Sequence, residues 1–323
     1  MLDRRQLLSL AAAAALPLGA RAQAPWPSRP IRILNPGAAG GLNDVLARHV
    51  AEPMGKALGQ PLVIESKPGA GGVLATQFLL QQPADGYTIL SQHNAVVTAP
   101  LLSPSANYDP LKDLVPLSLK ASAPLVLLAH PSMPATLQEF ITFARANPGK
   151  LEWCTAALGG VGHLASEVFH DMADIKGMVK VAYNGSAPAT QALVSGQVKY
   201  GISSMTSSTA GLVQEGRLRV LGATSPQRTA LLPGVPAIAE VVPGFQAEAW
   251  YGFLVRAGTP ANIVQKLSDA IASAVAQPGM AEKFKAVGVG LPRTGSAAFA
   301  EVMRREHEKW ARVIKDKGIK LDA

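Results

Sequence analysis

Short β-branched runs alternate with helical patterns along most of this chain, and that alternation constrains the fold more than any other feature. Such runs predict strands at residues 31–34, 62–65, 87–91, 125–129, 151–154, 179–182, 200–203, 218–223 and 250–255. Apolar residues at helical spacing predict helices at residues 43–58, 72–82, 137–146, 162–173, 188–195, 262–276, 280–287 and 296–317. This order predicts βαβ units with parallel sheets, and therefore an α/β fold.

The alternation falls into two series, which predicts two lobes. We expect the first lobe to comprise residues 23–122 and 247–323 and the second to comprise residues 123–246, with crossings near residues 121–124 and 243–247. The C-terminal helices are expected to rejoin the first lobe. Pro53 lies inside the first helical pattern and is expected to kink or split that helix. A hinged cleft between the lobes follows from such an arrangement.

The first 22 residues have the order of a bacterial secretory signal. Two arginines within the first five residues precede an apolar run over residues 7–18, and a small-x-small cleavage site ends at Ala22. A cut after Ala24 is the alternative, and export by the twin-arginine route is open beside the general secretory route. The run is too short for a membrane core, which requires about 20 residues. We expect a cleaved signal peptide at residues 1–22 and a periplasmic protein.

The composition fits a folded, exported protein and argues against nucleic acid as a partner. Hydrophobic residues make up 48% of the chain and charged residues 16%, which predicts an ample core. The formal charge is +8, and removing the signal peptide, with its three arginines and one aspartate, leaves +6. The remaining Lys and Arg residues are scattered, whereas nucleic-acid binding requires a basic stripe. Cys154 is the only cysteine, which excludes an intrachain disulfide and a cysteine-based metal site.

Glycine-rich loops follow several predicted strands and open the next helix. They lie at residues 36–43 and 68–72 in the first series and at residues 155–163 and 183–186 in the second. Glycine lets backbone N–H groups approach a ligand closely, and a helix N-terminus favours negative charge. Ligands of open α/β sheets bind beyond the carboxyl ends of the strands. Each loop alone is explained by tight-turn chemistry, but four in two lobes predict a shared anion-binding cleft.

The loops do not match nucleotide sites. None ends in the Gly-Lys-Ser/Thr of a P-loop. Gly160, Gly162 and Ala165 have the spacing of a dinucleotide-binding loop, but no acidic residue ends the next predicted strand. We therefore expect no nucleotide, no other cofactor and no metal ion.

Candidate catalytic groups are few. The sequence has neither a G-x-S-x-G motif nor an H-E-x-x-H motif. His93 and His163 lie at strand or loop ends, where they are candidates to contact a ligand. Asp44 is a further candidate, although an acid in a first helical turn also complements the helix dipole. A hydrolase would have to pair Ser203 or Thr155 with His163, and no orienting acid is evident.

Short motifs follow one another in a fixed order along the chain. They are PSRPI at 27–31, GGLND at 40–44, KPGAGG at 67–72, DGYT at 85–88, YDPLKD at 108–113, ANPGKL at 146–151, GHLA at 162–165, YNGS at 183–186 and AGTP at 257–260. The set resembles the periplasmic receptors of tripartite tricarboxylate transporters, often called Bug receptors. The resemblance extends over nearly the whole chain beyond the signal peptide.

The resemblance implies a two-lobed periplasmic-binding-protein type II fold that holds a carboxylate between its lobes. In that family, backbone amides and small hydroxyl side chains of the first two glycine-rich loops hold the carboxylate, and the second lobe closes over the rest. The expected ligand-binding residues are Ala39, Gly40, Gly41, Asn43, Asp44, Gly71, Gly72, His93, Thr155, His163, Tyr183, Ser186, Ser203 and Ser204. The loops contain no arginine, so N–H groups and helix ends must attract the anion.

Several positions depart from the family pattern. Gly37 stands where an aromatic residue is frequent, and residues 38–39 are alanines in place of prolines. Asn184 replaces a lysine, and Ser203 replaces an aspartate. The missing acid argues against a ligand with an ammonium group, and the missing aromatic leaves a roomier pocket. We expect a mono- or dicarboxylate with an uncharged body, with aromatic acids included.

These features predict a transport receptor and not an enzyme. The expected partners are a small organic carboxylate and the membrane subunits of a transporter, and the receptor is expected to be a monomer. One alternative is the same receptor signalling to a membrane sensor kinase. A hydrolase on a similar fold is the other.

Overall fold

The computed structural model describes residues 25–319 except residues 38, 157, 184 and 292–294, so the predicted signal peptide, Ala38 and Asn184 lie outside the described residues. The strands are β1 (Ile31–Asn35), β2 (Leu62–Ser66), β3 (Thr88–His93), β4 (Leu114–Ala129), β5 (Glu152–Thr155), β6 (Val179–Ala182), β7 (Tyr200–Ser204), β8 (Arg219–Ala223) and β9 (Glu248–Arg256). The α-helices are α1 (Leu42–Leu58), α2 (Val73–Leu80), α3 (Ala95–Leu102), α4 (Leu137–Ala146), α5 (Val161–Met172), α6 (Ser186–Val194), α7 (Ser207–Gln214), α8 (Ala261–Val275), α9 (Met280–Ala286) and α10 (Ser296–Lys317).

The long strand β4 joins two groups of strands. The order across the sheet is β2-β1-β3-β9-β4-β7-β5-β6, and β8 also pairs with β4. The first part of β4 is antiparallel to β9 as far as Pro124. Its second part, from Leu125 to Ala129, is antiparallel to β7. We call β1, β2, β3, β9 and the first part of β4 the first lobe, and the second part of β4 with β5 to β8 the second lobe.

The two lobes repeat one arrangement. In the first lobe β1 lies parallel to both β2 and β3, and in the second β5 lies parallel to both β6 and β7. The carboxyl ends of the three parallel strands therefore meet at one edge of each lobe, where the following helices begin. The two-lobed α/β fold predicted from the sequence is confirmed. The antiparallel strands β4, β8 and β9 are added around the junction of the lobes.

Each lobe has its own apolar core. In the first, Ile33 of β1 and Val50 of α1 pack with Leu267 of α8. In the second, Trp153 of β5 packs with Phe169 of α5. Burial of each such side chain contributes about 1.5–3 kcal/mol, so each series of strands and helices is held around its own sheet.

The structure adds detail to the expectations for two helices. The helix with Pro53 in it is not split, because α1 is one element whose buried face, including Val50 and Met54, packs into the first-lobe core. The C-terminal helix α10 also contacts the second lobe, since Trp310 packs with both Leu102 of α3 and Leu164 of α5. The last helix therefore packs on the first lobe through Phe299 and Met303 and also contacts the second.

Candidate functional site

The loop between β1 and α1 is held from beneath by Asp44. The Gly40 N–H donates to Oδ2 of Asp44 at 2.9 Å, and Nε of Arg48 donates to the same oxygen at 2.8 Å. Asp44 is 2% exposed. Burial alone would raise its pKa, but the bonds from Arg48 and Gly40, with the charges of Arg48 and Lys120, outweigh burial and lower the pKa. An ionised carboxylate therefore lies beneath the loop.

The loop between β5 and α5 is held in the same way by a histidine. The Gly159 N–H donates to Nδ1 of His163 at 2.9 Å. Nδ1 therefore accepts a backbone hydrogen bond, and Nε2 lies 3.5 Å from Oε1 of Glu167 and 3.1 Å from Nζ of Lys180. The ring stacks on Trp153 with centroids 5.9 Å apart and is 1% exposed. His163 therefore anchors this loop from inside the second lobe.

The two anchored loops have nearly the same backbone. Gly41 before α1 has φ −68° and ψ 160°, and Gly160 before α5 has φ −68° and ψ 161°. The preceding residues, Gly40 and Gly159, have φ of +80° and +73°, a conformation that glycine adopts without steric cost. The first N–H groups of a helix have no acceptor further back in it. Each lobe thus presents a helix N-terminus that can attract an anion.

The second loop of each lobe is tied to the end of the first strand. The Lys67 N–H donates to the Asn35 carbonyl at 2.7 Å in the first lobe. The Tyr183 N–H donates to the Thr155 carbonyl at 2.9 Å in the second. Loops that follow β1 and β2, or β5 and β6, are therefore fixed to each other before any ligand binds.

A polar chain runs beneath the first turn of α1. Asn43 donates from Nδ2 to the Asn35 side chain at 3.0 Å and to the Ser91 carbonyl at 3.1 Å. Ser91 donates from Oγ to Oδ1 of Asn43 at 3.1 Å and accepts from Nζ of Lys120. Lys120 is fully buried, and burial lowers its pKa well below the usual range, against which the charge of Asp44 acts. The first loop therefore rests on a buried amine.

A cavity of about 230 Å³ lies where the lobes meet. Leu42 and Val45 of α1 line it from the first lobe, and Met205 and Thr206 line it from the second. Tyr251 of β9 and residues 287–289 complete its wall, and none of the described residues that line it is charged. Its walls suit an uncharged, partly apolar ligand body.

The predicted site residues all lie at strand ends, in the loops that follow, or in first helical turns. Ala39, Gly40, Gly41, Gly71 and Ser186 are exposed; His93, Tyr183, Ser203 and Ser204 are partly buried; and Asn43, Asp44, Gly72, Thr155 and His163 are buried. Gly40 and Ser204 line the same cavity. Ligand contact by each of the fourteen stays a prediction.

His93 is the predicted histidine of the first lobe. Its Nδ1 accepts from the Ala95 N–H at 3.3 Å, at the start of α3. Burial and the charge of Lys120 lower its pKa to about 4, so the ring is neutral near pH 7. A neutral histidine offers hydrogen bonds to a ligand but no charge.

Sequence reasoning missed Lys120 and the cavity wall at Met205, Thr206, Tyr251 and residues 287–289. A signal existed for Lys120, because it is the one charged residue in the 16-residue strand β4. No local signal places residues 287–289 beside Met205, since more than eighty residues separate them in the chain.

None of the helices in the described part of the chain combines the length and the apolar character needed to cross a bilayer.

The profile of the family described as "Tripartite tricarboxylate transporter family receptor" (TctC) matches residues 46–319.

Three similar solved structures extend the comparison. "R. palustris Rpa4515 with adipate" has a TM-score of 0.79 and 30% identity, covering 91% of this chain and 99% of its own. "MatC (Rpa3494) from Rhodopseudomonas palustris with bound malate" has a TM-score of 0.75 and 31% identity, covering 90% and 100%. "Structure of periplasmic binding protein BugD" has a TM-score of 0.76 and 29% identity, covering 91% and 99%. One of these three similar proteins is thus described as a periplasmic binding protein, and the other two were solved with the dicarboxylates adipate and malate.

Proposed function

Because the chain belongs to the family of tripartite tricarboxylate transporter receptors, we propose that it captures a small organic carboxylate between its lobes for the membrane subunits of a transporter. The observation that carries this proposal is the pair of matching helix N-termini, one per lobe, each preceded by a glycine with positive φ. Such ends attract an anion without a cationic side chain in the loop.

The ligand body that we propose is uncharged. The cavity between Leu42 and Met205 has no charged residue among those described along its wall, and Ser203 and Ser204 end β7 without an acid. A carboxylate partner for a ligand ammonium is therefore missing at this strand end. Adipate and malate, bound by two similar proteins, are carboxylates of this kind.

We propose that the protein works in the periplasm as a monomer after removal of residues 1–22. The order of charges and apolar residues in that segment supports export, and a similar protein is described as periplasmic. A binding role is favoured over hydrolysis because both ring nitrogens of His163, the base that a hydrolase would need, already face partners within the second lobe.

A thermal-shift series tests the proposal. We expect one or more of acetate, adipate, malate and benzoate to raise the melting temperature and glutamate to have no effect. A ligand at 100 times its Kd adds about 2.7 kcal/mol to the free energy of unfolding. No shift with any carboxylate at millimolar concentration would contradict the proposal. Loss of uptake of the same acid by a strain that lacks the receptor separates transport from sensing.

Matched loop variants locate the site. Ala39 is exposed beside the N-terminus of α1, and Ala261 is exposed at the N-terminus of α8, away from the cleft. We expect Ala39→Leu to weaken carboxylate binding at least tenfold by covering the amides of the first turn, with Ala261→Leu unchanged. Equal affinity for both variants would place the anion elsewhere.

A further inference from the structure

Lys120 is a buried amine for which the family comparison gives no role. It extends from the middle of β4 and has no exposed surface. Its Nζ contacts Oγ of Ser91, the Asn43 carbonyl at 3.5 Å and the Phe253 ring, whose centroid is 4.5 Å away. In the described part of the chain no carboxylate forms an ion pair with it. Burying an ammonium among neutral groups is costly, so this environment favours the neutral amine unless an anion lies nearby.

The charged and titratable groups around Lys120 come from three elements. Asp44 on α1 attracts it, although Oδ2 of Asp44 is already bonded to Gly40 and Arg48. The other oxygen of Asp44, Oδ1, is buried and has no hydrogen-bond partner among the described residues. β3 contributes the neutral His93, and β9 contributes Tyr251, whose phenol has its pKa raised to about 12 by burial.

No further charge compensates Lys120 from the other helix of this core. α8 contributes apolar side chains such as Leu267 to the first-lobe core, while its Lys266 and Asp269 are exposed. Arg48 is 57% exposed, so water screens its charge. The balance beneath the first loop is therefore set by one buried carboxylate and one buried amine.

A hydrogen-bonded chain connects this amine to the anion-attracting helix end. The Ser91 hydroxyl donates to Oδ1 of Asn43, so it accepts from Lys120. Asn43 lies in the first turn of α1, whose amides face the loop. In a low-dielectric interior a charge at one end of such a chain acts strongly at the other.

We propose that Lys120 is the specificity-determining cation of the cleft: its amine takes up a proton from solvent when a carboxylate docks on the first turn of α1. The inference rests on the proposed function. The proton adds to the amine lone pair to give an ammonium, and no covalent bond between ligand and protein forms. In the free protein only Asp44 favours the protonated amine, against burial. A carboxylate docked on the first turn of α1 adds a second anion that favours it.

The sign of the pH effect follows. The carboxylate binds better when Lys120 is protonated, so affinity is highest at low pH and falls as the pH rises through the range in which the free amine titrates. Uncharged amides of the same shape gain nothing from protonation. The site therefore selects anions over neutral analogues through a residue that does not touch them.

Calorimetry in buffers of different ionisation enthalpy tests the proposal, between pH 6 and 9.5 and thus above the range in which His93 titrates. The probe is whichever of acetate, adipate, malate and benzoate stabilises the protein most. We expect the wild-type protein to take up a fraction of a proton on binding. Lys120→Met is expected to bind about tenfold more weakly near pH 7, with no uptake.

A second lysine provides the matched control. Lys309 on α10 also lies over an aromatic ring, 4.5 Å from the Trp310 centroid, and burial lowers its pKa. Lys309→Met should keep the affinity and the proton uptake of the wild type.

Three results decide the matter. Zero proton uptake by the wild type across this range would overturn the inference and leave the receptor function standing, and this measurement requires no folded variant. Undiminished affinity of Lys120→Met would do the same. Failure of every carboxylate in the panel to bind would instead remove the proposed function, and the inference with it.

Discussion

The two anchored loops share a backbone but differ in charge. Both place a glycine of positive φ four residues before the side chain that accepts its N–H, Asp44 in the first lobe and His163 in the second. Asp44 is an anion balanced by Arg48 and Lys120, whereas His163 is a ring stacked on Trp153. The geometry requires only an acceptor at that position. Because the acceptor in the first lobe is the carboxylate of Asp44, a buried negative charge lies beneath the loop of that lobe.

A second difference lies one residue before the anchor. In the first lobe Asn43 reaches the Ser91 carbonyl of β3 with its side chain. In the second lobe the backbone itself comes close to the third strand, because a Cβ on Gly162 would lie 2.5 Å from the Ile202 carbonyl oxygen. The loop between β5 and α5 is therefore the more tightly packed, and the loop between β1 and α1 is the more polar.

The largest expected effect comes from filling that contact. Gly162→Ala forces Cβ against a backbone oxygen that cannot move freely, and we expect a loss of about 3 kcal/mol in the free energy of unfolding. Urea denaturation measures it. Gly211→Ala in α7 is the control, since nothing lies within 4 Å of its added Cβ, and it should stabilise by about 0.5–1 kcal/mol. Equal stability of the two variants would show that the loop between β5 and α5 is not the more tightly packed one.

One histidine with a lowered pKa in each lobe gives the next effect. Burial and the charge of Lys120 lower the pKa of His93 to about 4. Burial lowers that of His170 to about 4 as well, against the charge of Glu167. The unfolded chain binds protons more readily than these rings, so stability is full above pH 6.5 and is lost as the pH falls towards 4.

We expect this loss to be about 2 kcal/mol for each histidine. His93→Asn and His170→Asn should each remove about half of the slope in urea midpoints between pH 6.5 and 4. Lys120→Met should reduce the loss of stability that is due to His93, because the charge of Lys120 helps to lower the pKa of that ring. The loss that is due to His170 should be unchanged. A slope that neither histidine variant alters would mean that other groups carry it.

Removing the charge of the first anchor gives a smaller effect. Asp44→Asn keeps an acceptor for the Gly40 N–H but loses the charge-assisted bonds, at about 1.5 kcal/mol near pH 7. Because the folded pKa of Asp44 is lowered from 3.8, its contribution is full above that pH and is lost as the pH falls further. The stabilities of the variant and the wild type should therefore converge as the pH falls below 3.8 and through the lowered pKa of Asp44. A gap that stays constant with pH would assign the cost to packing.

The sequence predicted the strands and helices with clear periodicity, but it missed the same helix in both lobes. α3 is apolar on all sides and contains Pro100, so it shows no amphipathic pattern. α7 is eight residues long, with serines and a glycine, and looks like a loop. The first part of β4 was missed because Pro116 and Lys120 interrupt it. In each case the partners that make the element stable lie far away in the chain.

The candidate site was predicted in the same uneven way. Glycines marked the loops correctly as strand-to-helix junctions, because positive φ at Gly40 and Gly159 is a local requirement. The shared spacing of Gly40 to Asp44 and Gly159 to His163 was present in the sequence as a sign of anchoring. What lies beneath or opposite a loop depends on tertiary packing, so the buried state of His163 and the cavity at Met205 were not predictable.

The smallest expected effect concerns the missed helices, which begin differently in the two lobes. Asn94 precedes α3 but does not cap it. Its side chain is bonded to β9 instead, donating to the Glu248 carbonyl at 3.0 Å and accepting from the Trp250 N–H at 2.9 Å. Thr206 instead caps α7, accepting from the Thr209 N–H at 3.2 Å.

Thr206→Ala leaves that N–H without its cap and should cost about 1 kcal/mol, whereas Thr206→Ser keeps the oxygen and should cost a few tenths at most. Urea denaturation compares the two. If serine were as damaging as alanine, the methyl group in the cavity wall, and not the cap, would be what the second lobe requires at this position. If only alanine is damaging, α7 is held mainly by its own cap, and such a helix can open locally. The third helix of the second lobe, α7, would then adjust to a ligand, while β9 holds α3 in the first lobe.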